Sequence, residues 1–115
     1  VVTVTGSTSV SVLSRVNAEI IAVAGAKEAY EKLKEGLVDA VVFDAPVAIY
    51  YAKNDKEKQI EIVGELFEKQ KYGIALCEGS VWREPINRAV LKIVESGQYD
   101  IFYKKWFGDN LTMEV

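Results

Sequence analysis

Apolar positions fall at two spacings along this chain, alternating or continuous in short runs and every three to four residues in longer ones. Val1 to Thr5 is a β-branched run that predicts a strand, and Gly6-Ser7-Thr8-Ser9 breaks it. Val10, Val12, Leu13 and Val16 follow at mixed helical spacing, which predicts a short helix. Glu19 to Ala24 is a second β-rich run, ended by Gly25. Ala26 to Glu35 reads as a helix with Ala29, Tyr30 and Leu33 on one face and Glu28 placed four residues before Lys32; Gly36 closes it. Val38 to Phe43 is nearly continuous apolar sequence, as in a strand buried on both faces.

Asp44 opens the next predicted helix, with Pro46 in its first turn, where a missing N–H costs little. That helix runs to about Lys53 and passes into a charged stretch, Lys53 to Lys58, expected as a solvated loop. Ile60 to Leu66 and Tyr72 to Leu76 read as two further strands. Ser80 is placed to cap a long helix with the stripe Ile86, Ala89, Val90, Ile93 and Val94, stopped by Gly97. Gln98 to Phe107 forms an aromatic-rich last helix, and Asp109 to Val115 reads as a tail. The order β-α-β-α-β-α-β-β-α-α predicts an α/β fold with a mostly parallel sheet flanked by helices.

Composition narrows the function classes. Half of the 115 residues are hydrophobic and 27% are charged, which fits one domain or one lobe with a real core. The net charge of −3 comes without a basic stripe, so nucleic acid is not expected as a partner. Histidine is absent, which removes the commonest metal ligand and general base, so neither a metal nor a cofactor is expected. The single cysteine, Cys77, is expected as a small buried hydrophobe rather than a nucleophile. No apolar run reaches the ~20 residues of a membrane span. The start at Val1, within a strand-like run, suggests a piece of something longer.

Three positions could carry binding chemistry. Ser7 and Thr8 lie between a strand and a helix, where amide N–H groups and hydroxyls suit an anion; they also suit a plain helix cap. Asp44 ends a buried strand on the edge where open α/β sheets hold their ligands; its carboxylate could meet an ammonium group, cap the next helix, or do both. Tyr72 could line a cleft or simply pack. Trp82, Phe102, Tyr103 and Trp106 read as core or interface. No catalytic constellation emerges, so an enzyme is not expected.

Three separated segments share one resemblance. Val2-Thr3-Val4-Thr5-Gly6-Ser7-Thr8 resembles the strand and helix start in the second lobe of the type 2 periplasmic-binding-protein family, which includes family 3 solute-binding proteins and ionotropic glutamate receptor ligand-binding domains. Leu37 to Pro46 resembles the G-x-x-D-A-x-x-x-D strand of that family. Lys71-Tyr72-Gly73-Ile74-Ala75, the run from Arg83 to Lys92, and Gly97 to Phe107 resemble its C-terminal block.

The resemblance implies one lobe of a two-lobed clamshell, its C-terminal half and prokaryotic, with residues 1–76 as second-lobe α/β segment, 77–108 as helices belonging to the first lobe or an interface, and 109–115 as tail. It implies that Ser7 and Thr8 donate to a ligand carboxylate, that Asp44 accepts from an α-ammonium group, and that Tyr72 sits at the hinge. It also implies a periplasmic or extracellular setting and an amino-acid ligand, glutamate or another polar one. The remaining partners would be the first lobe, a second copy in a homodimer, and a membrane channel or permease in the full protein. A glutamate-receptor-like channel is the leading reading. A periplasmic receptor of an ABC transporter, a cyclohexadienyl-dehydratase-like enzyme and a sensor-kinase input domain are the alternatives.

Overall fold

A computed structural model describes residues 1–109 as two compact units, one from Val1 to Glu65 and one from Leu66 onward. The sequence reading draws its division after residue 76.

In the first unit, β1 (Val2–Val4) and β2 (Ile21–Val23) pair in parallel, with Val2 opposite Ile21 and Val4 opposite Val23. The predicted strand from Val38 to Phe43 reduces to one parallel bridge, Val2 to Val41. Two hydrogen bonds frame it: the Val2 N–H donates to Ala40 O at 2.9 Å and the Val42 N–H to Val2 O at 3.0 Å. β1 is thus the middle of three parallel segments, and Val2 and Thr3 on it are fully buried. Val2, Val23, Ala29 and Val38 form the core, with Leu33 and Val41 packed against it.

The helices of this unit are α1 (Thr8–Leu13), α2 (Ala26–Lys34) and α3 (Ala45–Asn54). α2 buries Ala29 and Tyr30, two positions of its predicted face. It stops as the sequence predicts: Gly36 turns left-handed at φ +72°, which a side chain would resist, and the Gly36 and Leu37 N–H groups return to Leu33 O and Lys32 O. Pro46 sits in the first turn of α3, where no intrahelical donor is lost.

The second unit holds α4 (Arg83–Glu95) and α5 (Gln98–Phe107), joined at Gly97 with φ +74°. Neither helix has a buried residue. The predicted strands Ile60 to Leu66 and Tyr72 to Leu76 do not form. A strand exists through its ladder, and no described segment pairs with either run. Ser80 does not cap α4. The chain turns first, with the Ser80 N–H on Cys77 O and the Trp82 N–H on Ser80 Oγ at 3.3 Å, and helix begins two residues later than predicted, at Arg83. Cys77 is exposed rather than buried, and Trp82, Phe102 and Trp106, expected as core or interface, are exposed and so not core. The tail lies outside the described residues except for Asp109.

Candidate functional site

Parallel strands bring their carboxyl ends to one edge, and that edge carries three of the four predicted residues. β1 ends at Val4, and Gly6, left-handed at φ +76°, turns the chain into α1. Ser7 holds the cap position of α1 and Thr8 is its first residue. Asp44 follows the bridged segment, three residues beyond Val41, as Thr5 lies three residues beyond Val2 on the neighbouring segment. Adjacent parallel segments therefore bring Ser7, Thr8 and Asp44 to the same end of the small sheet.

The local bonding separates capping from other roles. Ser7 makes no side-chain bond to α1; its hydroxyl donates to Val4 O at 2.7 Å, and its N–H reaches the same carbonyl at 3.2 Å. Its Oγ lies 3.5 Å from the Oγ1 of buried Thr3. With the hydroxyl proton on Val4 O, Ser7 shapes the turn. The amides of the first turn of α1 are the backbone donors at this edge. Asp44 holds the cap position of α3, yet its carboxylate bonds none of the helix amides; its backbone carbonyl accepts from the Val47 and Ala48 N–H groups, both at 3.0 Å. Tyr72 belongs to the second unit, 68% exposed.

A cluster that the sequence did not suggest lies elsewhere in the first unit. Asp55, expected within a solvated loop, is buried. Its Oδ1 lies 2.6 Å from Lys34 Nζ, and its Oδ2 accepts from the Gln59 and Ile60 N–H groups at 2.6 and 3.0 Å. The Lys34 bond is the main reason the Asp55 carboxyl is held below its ordinary range, and the two amides add to it against the cost of desolvation. Lys34 is raised in return, chiefly by the same bond. Its neighbours Lys56, Glu57 and Lys58 are exposed as expected. The nearest signal in the sequence is a carboxylate directly after a helix end, and nothing in local spacing points to Lys34.

Among the described residues no group of His, Cys, Asp and Glu could hold a metal ion, and no helix is long and apolar enough to cross a membrane.

No protein-family model matches the chain. The crystal structure of the ligand-binding core of GluR0 from Nostoc punctiforme, in complex with L-glutamate, is similar: TM-score 0.76 and 40% identity over 94% of this chain and 51% of that one. The glutamine-binding protein GlnH of an ABC transporter of Bacillus subtilis is 37% identical over 84 residues, which is 72% of this chain and 30% of that protein. The human ionotropic glutamate receptor NMDA 2D is 34% identical over 82 residues, 70% of this chain and 6% of the receptor. The chain thus spans about half of the solved core and less of the two curated relatives.

Proposed function

The chain belongs to the type 2 periplasmic-binding-protein family, with the family 3 solute-binding proteins and ionotropic glutamate receptor ligand-binding domains, and we propose that it is one lobe of an extracytoplasmic amino-acid-binding domain. The observation that carries this reading is Asp44. It ends a half-buried segment beside the Ser7-Thr8 turn, on the edge where open parallel sheets hold their ligands.

In this reading the ligand is a zwitterion with a polar or acidic side chain, glutamate above all. Asp44 accepts from its ammonium group, and Thr8 with the first-turn amides of α1 takes a carboxylate. Ser7 acts mainly by holding that turn, which refines the donor role expected from resemblance. The other lobe supplies the rest of the pocket and lies in sequence before this chain. The likeness to the glutamate-bound core from Nostoc punctiforme supports glutamate and a prokaryotic receptor; the likeness to GlnH supports the transport-receptor alternative. Binding needs no catalytic group, and the chain acts as a sensor rather than an enzyme.

The test is Asp44→Ala in the two-lobed protein. Removing the partner of a desolvated ammonium group weakens glutamate binding by roughly 2–5 kcal/mol. Stability falls by less than affinity does, since a lost cap position costs only about 1 kcal/mol. Unchanged affinity by calorimetry would remove Asp44 from the site.

A further inference from the structure

α3 carries Asp44 at its start and is lightly held along its length. The chain enters it from the bridged segment, fixed at Val42 by the bond to Val2 O. Of its ten residues only Ile49 is buried. Such a helix has a fixed starting point, and its direction depends on what holds the other end. Two contacts do so, and both come from α2. Tyr30 stacks on Tyr51 at 4.2 Å between ring centroids and 14° between planes. One turn further on, Lys34 Nζ stands 2.6 Å from Oδ1 of Asp55, the residue that ends α3. Tyr30 and Lys34 share a face of α2 four residues apart, and Tyr51 and Asp55 repeat that spacing, so the helices meet on successive turns. α2 is the firm member: Ala29 lies in the core and Tyr30 is buried next to it.

Asp55 is built to hold. Its side chain is buried, and its second oxygen takes the Gln59 and Ile60 amides, so the carboxylate is fixed from both sides. Lys58, inside that turn, is left-handed at φ +53°, a conformation that a residue with a side chain keeps only where its surroundings impose it. The pairs Lys27–Glu31 and Lys32–Glu28 each join two residues of α2 and fasten it to nothing else. Lys34–Asp55 instead joins two elements.

We infer that Lys34 and Asp55, together with the Tyr30–Tyr51 stack, are positioning residues: they pin the far end of α3 to α2 and so set the direction in which Asp44 is presented at the strand-end edge. Asp44 lies eleven residues before Asp55, roughly 16 Å along the axis, so the pair touches no ligand at that edge. A binding group is held to roughly 10–20° of its productive direction, and a helix loose at one end does not meet that limit. The effect on affinity rests on the amino-acid reading of Asp44; the pinning of α3 does not.

The test uses the two-lobed protein. Asp55→Asn breaks the ion pair and keeps an oxygen for the Gln59 and Ile60 amides, whereas Lys34→Arg keeps the pair. Hydrogen exchange without ligand, followed by NMR, reads the first turn of α3 through the Val47 and Ala48 amides, which bond Asp44 O. In Asp55→Asn they exchange at least several-fold faster than in the parent, while the Thr5 amide on Val23 O does not change, so the fold as a whole is intact. Tyr51→Leu, which removes the stack instead, gives the same pattern, and Lys34→Arg keeps the parent's rates. Glutamate binding by calorimetry weakens several-fold in Asp55→Asn. In an Asp44→Ala background the same change costs nothing further, because the effect passes through Asp44. Equal Val47 and Ala48 exchange in Asp55→Asn and the parent overturns the inference, and so does a loss of affinity that adds in full to that of Asp44→Ala. If Asp44→Ala leaves glutamate binding unchanged while Asp55→Asn speeds that exchange, the amino-acid reading of Asp44 falls and the pinning of α3 stands.

Discussion

Both units of this chain carry amphipathic helices, and those helices ended in opposite states. In the first, α2 and α3 turn Ala29, Tyr30 and Ile49 inward, and a β-branched strand supplies fully buried Val2 and Thr3. In the second, α4 and α5 carry an equally clear apolar pattern and bury nothing: Leu91 is 59% exposed, Ile101 64% and Trp106 54%. Amphipathicity specifies a face, and only a partner surface turns that face into a core. Exposed apolar residues on this scale mark an interaction surface. The relatives suggest which one, because the glutamate-bound core that this chain resembles is about twice as long as the chain.

The sharpest way to break the comparison is to truncate one isoleucine in each unit. Ile49→Ala, in the first, is expected to cost about 2–5 kcal/mol, as buried large-to-small changes do. Ile101→Ala, in the second, is expected to stay within about 0.5 kcal/mol. Denaturant melts measure both, and equal losses would show that α5 is packed in solution.

Alkali offers a second contrast. Tyr30 has its folded-state phenol raised to about 12, so the fold favours the neutral form. That contribution is intact below pH 10 and is lost as pH rises through about 12. Its size is about 3 kcal/mol, two pH units at 1.36 kcal/mol each. Stability measured from pH 9 to 12 should fall accordingly, and Tyr30→Phe should flatten the decline. An unchanged slope would assign the loss elsewhere, Tyr103 of the second unit first, since burial raises its phenol too.

The third contrast is association. With α4 and α5 uncovered, the chain alone is expected to form dimers or larger species. Each large side chain covered contributes roughly 1.5–3 kcal/mol. Ile101→Lys should shift the equilibrium toward monomer in sedimentation, and the corresponding change at exposed Lys27 of the first unit, Lys27→Ala, should not. A parent chain that stays monomeric at high micromolar concentration would contradict the uncovered-face account.

What the sequence made legible was whatever is decided locally. Gly36 needs a left-handed turn, and Pro46 tolerates the first helical turn; both helix ends fell where those residues predict. The alternation of Ile60 to Leu66 was equally visible, but a strand is decided by its ladder partner, and that partner is not encoded in the run itself. Ser80 shows the same limit on a smaller scale. It is a good cap residue, and its hydroxyl does take a backbone amide, but in the turn before the helix. At the strand-end edge, the positions of Ser7, Thr8 and Asp44 followed from element order, whereas the direction of the Ser7 proton did not. Asp55 was illegible because its partner, Lys34, lies on a different helix, and a charged run conceals one buried member.

The account rests on the amino-acid site being half of a pocket, with its other half and the cover for α4 and α5 supplied by the same first lobe. Calorimetric titration of glutamate into the chain alone, then into the chain joined to that lobe, tests this most directly. The account predicts no saturable heat, or a Kd well weaker than about 1 μM (roughly −8 kcal/mol), for the chain alone, and tight binding for the joined protein. A Kd for the isolated chain tighter than about 1 μM would contradict it, because the strand-end edge would then be a complete site by itself.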